Sequence, residues 1–141
     1  MKRLLLLLTT FTVLQAQESD IKLHAKMMDK LATDIINKEQ ISIYDPTYGR
    51  SYVTYLNRSN TVNTCSDSDI AIVSSPAQIQ GCKNQIILVT KYTLLNTIPD
   101  AVGAFYWQKG RPNLVFIRSR LIEKRVKLAS EYTKLIDERI Y

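Results

Sequence analysis

One histidine, His24, serves the whole chain of 141 residues. That leaves Ser/His and Cys/His nucleophile pairs with almost no candidates. Two cysteines and one histidine also fall short of a recognisable four-ligand zinc site. The sequence contains no Gly-x-Gly-x-x-Gly, no Walker loop, no Gly-x-Ser-x-Gly and no His-Glu-x-x-His. Asp67 and Asp69 lie close in sequence but read as solvated turn residues. These absences lead us to expect no enzymatic activity, no catalytic residues, no metal and no cofactor. Beyond the N-terminus no segment is apolar enough to span a bilayer.

The N-terminus is where apolar residues do run together. "MKRLLLLLTTFTVLQAQ" opens with Lys2 and Arg3, continues through Leu4 to Leu14, and reaches a small residue at Ala16. This is the layout of a secretory signal peptide over residues 1–16. It predicts an exported, periplasmic protein, with residues 17–141 forming one α/β domain. A chain of that size can bury about two-thirds of its unfolded surface and needs no staples to hold a core. In an oxidising compartment Cys65 and Cys82 can form one disulfide, worth about 3 kcal/mol in the chain-entropy model. The formal charge of +6 falls by two when Lys2 and Arg3 leave. From Trp107 onward nine Lys/Arg face four acids, so the remaining excess is concentrated near the C-terminus. That third reads as a solvated basic helix face, with anionic lipid or an acidic partner as the alternative. Nucleic acid is not an expected partner of an exported protein.

Residues 18–38 have an amphipathic helical pattern through Ile21, His24, Met28, Leu31 and Ile35. His24 lies on that apolar stripe and reads as a core residue. "QISIYD" (40–45) predicts a short strand and "TVNT" (61–64) a second. Residues 51–57 read as a strand by their β-branched and aromatic content or as a short helix by their place between two strands, and the helix is preferred. "SDIAIVSS" (68–75) and "NQIILVT" (84–90) are uninterrupted apolar strands. Ser75 with Pro76, and Thr90, are placed to cap a helix after each. Residues 119–141 predict one or two terminal helices, the second capped by Ser130. Apolar strands alternating with helices argue for a mostly parallel sheet flanked by helices, a Rossmann-like three-layer α/β fold.

"AVGAFYWQKGRPNLVFIR" predicts an antiparallel hairpin near the C-terminus with a four- or five-residue loop. Alternation puts Val102, Ala104 and Tyr106 on one face and Gly103, Phe105 and Trp107 on the other. Phe105 is expected in the core, with Tyr106 and Trp107 at its mouth and their polar tips in water. Gly103 marks a close approach of another backbone or a ligand. Tyr106, Trp107, Lys109 and Arg111 together make a candidate partner-contact patch. A second candidate site follows from where parallel sheets bind ligands, beyond the carboxyl ends of the strands. Three turns should gather there and bring Thr47, Arg50, Ser51, Ser74, Ser75, Thr90 and Lys91 together. That set suits a small anion. The alternative is that Ser75 and Thr90 only cap helices.

The segment from "ILVTKYTLLN" to "KLASEYTKLI" resembles the C-terminal half of the YfiR-like periplasmic proteins. The pieces that carry the resemblance are Ile86–Thr90, Val102-Gly103-Ala104, Gly110-Arg111, Asn113–Arg118 and Val126-Lys127-Leu128-Ala129-Ser130. "CSDSDIAIV" resembles the same family's cysteine placed before a buried strand. The resemblance implies an exported α/β protein without catalytic residues. Such proteins restrain a membrane-bound diguanylate cyclase by binding its periplasmic part, and so act in cyclic-di-GMP signalling. It also implies disulfides and a homodimer.

Overall fold

The two uninterrupted apolar runs, Ile70–Val73 and Ile86–Val89, form the centre of a seven-stranded sheet. The structure, a computed structural model, describes residues 20–141. The expected signal peptide lies outside the described residues. In chain order the strands are β1 (Ile41–Tyr44), β2 (Ser59–Thr61), β3 (Ile70–Val73), β4 (Ile86–Val89), β5 (Ala101–Gln108), β6 (Arg111–Ile117) and β7 (Ile136–Asp137). Their order across the sheet is β2-β1-β3-β4-β5-β6-β7. Every neighbouring pair is parallel except the β5–β6 hairpin. This is the expected α/β architecture, with the antiparallel hairpin near the C-terminus.

A strand buried on both faces needs apolar residues at every position, and β3 is buried throughout. Ile70 and Ile72 join one core, Ala71 and Val73 the other. The first core is covered by α1, a helix over residues 20–35, through Met28, Leu31 and Ala32. The second packs under two segments, one before β3 that carries Cys65 and one after β4 that carries Leu95 and Ile98. Cys65 and Cys82 form a disulfide across that side, with their Cα atoms 5.0 Å apart. Among the described residues no helix is long and apolar enough to cross a membrane.

Several local expectations are corrected. The helices expected after β3 and β4 are short 3-10 turns, Pro76–Ile79 and Tyr92–Asn96. Gly81, at φ 80°, and the disulfide at Cys82 end the first. The second has only the residues between Val89 and Ala101 in which to cross back. Ser75 precedes the first turn but makes no side-chain cap bond, and Lys91, not Thr90, precedes the second. The hairpin loop has two residues, since Gln108 pairs with Arg111. Lys109 (φ 52°) and Gly110 (φ 71°) both take positive φ, the geometry of a type I′ turn. Val102 also changes sides. Ile87 pairs with Ala101 and Leu88 with Gly103, so Val102 is an extra residue in the ladder. The bulge turns it into the first core beside Phe105, while Ala104 stays in the second.

The terminal helix is the largest departure. α3 spans only Arg118–Glu123. It ends where Val126 N–H donates to Leu121 O (2.9 Å) and Arg125 N–H to Ile122 O (3.1 Å). With Arg125 at φ 56° this is a Schellman stop that holds arginine where glycine is usual. A 3-10 segment, Ser130–Leu135, follows with Ala129 at its N-cap position, and β7 then pairs with Phe116 and Ile117. This path lays Tyr132 and Ile136 on the first core, which a continuous helix would not. Arg125→Gly is expected to stabilise the protein by about 1 kcal/mol by removing the left-handed penalty. Chemical denaturation would register it as a higher midpoint at unchanged slope.

Arg120 of α3 ties the two halves together. Its guanidinium donates to Leu95 O (2.8 Å), Ala101 O (2.9 Å) and Ile98 O (3.2 Å). Leu95 O, Ala101 O and Ile98 O, the last already accepting from Ala101 N–H at 3.1 Å, are thereby held by one planar guanidinium whose fixed fork of donors reaches all three.

Candidate functional site

With strand order β2-β1-β3-β4, the chain runs from β1 out to β2 on one side and then crosses back to β3 on the other, so a crevice opens beyond the carboxyl ends of β1 and β3. The segments following β1, β3 and β4 meet there. Asp45, only 6% exposed, organises the first. It accepts hydrogen bonds from Tyr48 N–H (2.9 Å) and the Tyr52 hydroxyl (2.6 Å). That pins α2 (Gly49–Tyr52), which runs on into a 3-10 turn, Val53–Tyr55, over most of the expected 51–57 helix. Burial first, and the Asp45 carboxylate second, push the Tyr52 phenol up, so it stays protonated and donating.

Hydroxyls knit the three segments together. Thr47 and Thr90 each donate to Ser74 Oγ at 3.0 Å. Gln78 donates to Thr47 at 3.3 Å and accepts from Ser74 N–H at 2.7 Å. Thr90 therefore links strand ends and does not cap a helix.

Beside this network lies a cleft of about 560 Å³. Asp20, Ile21 and His24 of α1 form one wall, and Phe105, Tyr106 and Trp107 of β5 the opposite one. Tyr48, Ser51 and Tyr52 come from the α2 region, and Thr90 and Lys91 from the end of β4. The volume and the mixture of aromatic walls with a few polar groups match a small binding site.

His24 joins the walls. The Trp107 indole N–H donates to His24 Nδ1 at 3.2 Å, and the two rings lie 12° from parallel with centroids 6.4 Å apart. Tyr52 and Phe105 approach the imidazole with centroids at 4.9 and 5.1 Å. An indole N–H can only donate, so Nδ1 must be unprotonated and the neutral ring carries its proton on Nε2. Nε2 is buried and has no hydrogen-bond partner among the described residues. Burial pushes the imidazole below its ordinary 6.5, and the Asp45 carboxylate opposes this. Because the folded value is the lower one, the neutral ring's contribution to stability is present above 6.5 and is lost as pH falls below it.

The expected anion set is brought only partly together. Ser51, Thr90 and Lys91 line the cleft, Thr47 and Ser74 belong to the adjoining network, and Arg50 and Ser75 are not among the lining residues. Of the expected contact patch, Tyr106 and Trp107 are half-buried in the cleft wall, while Lys109 and Arg111 are exposed at the hairpin tip. The Trp107 indole N–H is not in water, as expected of it, but bonded to His24. His24, expected in the core, stands in the cleft wall. Tyr48 and Tyr52 were not singled out. Their spacing of four residues was the available signal, since such pairs share a helix face. Among the described residues no group of three or more His, Cys, Asp or Glu is placed to hold a metal ion.

No protein-family model matches the chain, and no curated protein matches it.

Proposed function

We propose that the protein is an exported, non-enzymatic interaction module. It acts in the periplasm by engaging the periplasmic part of a membrane-anchored signalling protein, as the YfiR-like resemblance implies for control of a diguanylate cyclase. The observation that carries this reading is the continuity of the cleft's aromatic wall, Tyr106 and Trp107, with the exposed cationic tip at Lys109 and Arg111. Trp, Tyr and Arg are the residues that dominate binding energy at protein interfaces. The Cys65–Cys82 disulfide supports an oxidising compartment.

Capture of membrane proteins from native membranes by the mature chain tests the proposal. Trp107→Ala with Arg111→Ala is expected to weaken capture of the specific partner by at least about 30-fold, the loss of one interface hot spot. Arg111→Ala alone, which leaves the Trp107–His24 bond in place, should show part of that loss. Undiminished capture by both variants would remove the hairpin from the contact surface.

A second reading, a one-lobe module for a small anion, is favoured by one observation: Lys91, Thr90 and Ser51 line the same cleft at the carboxyl ends of the strands. It predicts a melting temperature that climbs with phosphate or sulfate concentration at constant ionic strength. The partner-binding reading predicts no such climb.

A further inference from the structure

We infer that His24 and Trp107 form a proton-sensitive latch in the cleft wall: the neutral imidazole holds the indole in place, and protonation of His24 releases it and reshapes the cleft. The inference deepens the proposed binding role by naming a regulator of the same site, and it rests on that reading for its consequence.

Hydrogen-bond chemistry carries the argument. Nδ1 of His24 is the acceptor for Trp107 Nε1–H, at 3.2 Å. An imidazolium has a proton on both nitrogens and no acceptor left, and an indole N–H cannot accept. The bond is therefore incompatible with a charged His24. Two donors would face each other, and one ring must move. The other nitrogen provides no relief, because Nε2 is buried without a hydrogen-bond partner among the described residues. A charged imidazole in this position has two N–H groups and no acceptor for either, so its stable arrangement is an open one that reaches water.

Charged and titratable groups come from each surrounding element. Asp20 lines the cleft from α1 itself, and Asp45, held by Tyr48 and Tyr52, acts from the end of β1. The Asp45 carboxylate favours a proton on His24. Lys91, just beyond the end of β4, is the cation of the cleft lining. The phenols of Tyr48, Tyr52 and Tyr106 complete the surroundings. Burial lowers the proton affinity of His24, and Asp45 raises it. The closed latch is thus the form at neutral pH, and opening belongs to the acid side of 6.5. Trp107 moves rather than the core beneath it. It is half-buried near the end of β5, whereas its neighbour Phe105 is 2% exposed and fixed in the first core.

The chain has one tryptophan, so its fluorescence and its single indole N–H resonance report on the latch alone. Both would be followed in the mature protein between pH 8 and pH 4.5, with far-UV circular dichroism recorded on the same samples. The expected result is a one-proton transition below pH 6.5 with emission moving to longer wavelength, the indole resonance moving with it, and the circular dichroism unchanged. His24→Phe fills the same space without titrating and should abolish the transition. His24→Gln provides the same test should the phenylalanine variant fail to fold. Emission independent of pH would overturn the latch. So would an equal transition in a folded His24 variant, or one that coincides with loss of circular dichroism. The titration needs no partner, so failure to capture a membrane protein at pH 7.5 and failure of the latch are separate results.

Discussion

Removing the disulfide by Cys65→Ala with Cys82→Ser lowers the stability of the protein by about 3 kcal/mol and its melting temperature by roughly 10 °C. The bridge spans 17 residues of sequence, a loop large enough for its closure entropy to dominate. It ties the segment before β3 to the segment before β4 at the edge of the second core. Cys65 is buried at 2% exposure, which is why alanine is used there: a serine would add an unpaired hydroxyl to the apolar site. Reductant applied to the wild type should reproduce the loss. Thermal denaturation with and without reductant measures the effect, and mass measurement after alkylation confirms the thiol state. Two free thiols in folded protein purified without reductant would remove both the bridge and its contribution.

Gly103→Ala has a comparable effect, on the order of 3 kcal/mol, for a different reason. A Cβ there would stand 2.2 Å from the Val115 carbonyl oxygen and 3.2 Å from Phe116 Cα. Both atoms are backbone of β6, which pairs with β5 at Gly103, and neither can yield as a flexible side chain would. Gly110→Ala in the same hairpin is the control. A Cβ there meets nothing within 4 Å, and the whole cost is the positive φ of 71°, about 1 kcal/mol. Denaturation midpoints should therefore separate the two substitutions clearly. Equal losses would mean that the β5–β6 spacing relaxes freely.

The same residues explain what the sequence discloses and what it hides. Uninterrupted runs such as "IAIV" and "IILV" are legible as doubly covered parallel strands, because they are short, rich in β-branched residues and apolar on both faces. Gly103 is legible as a close backbone approach, and β6 is the backbone that approaches. The bulge at Val102 is not legible: its alternation reads as regular until Leu88 is seen to pair with Gly103. The end of α3 is hidden for a related reason. Arg125 takes the left-handed conformation that glycine would have advertised. The cleft is half legible. Tyr106 and Trp107 stand out as a pair of aromatics at the end of a strand, but the partner of Trp107 lies 83 residues away on α1. Nothing local to either residue links them. Only the placement of α1 over the face that Phe105 shares brings His24 into reach.

The aromatic cleft is the proposed surface for contact with a membrane-anchored partner. Tyr48, 49% exposed on the cleft's rim, can carry a photo-crosslinking side chain without entering the core. Ile122, 70% exposed on α3 and not among the cleft residues, is the matched control. The decisive measurement is illumination of both variants in intact cells, with the adducts identified by mass spectrometry. The expected result is a specific adduct between the Tyr48 position and a membrane protein that carries a cytoplasmic signalling domain, with none from position 122. An adduct from position 122 alone would contradict the assignment of the cleft as the contact surface.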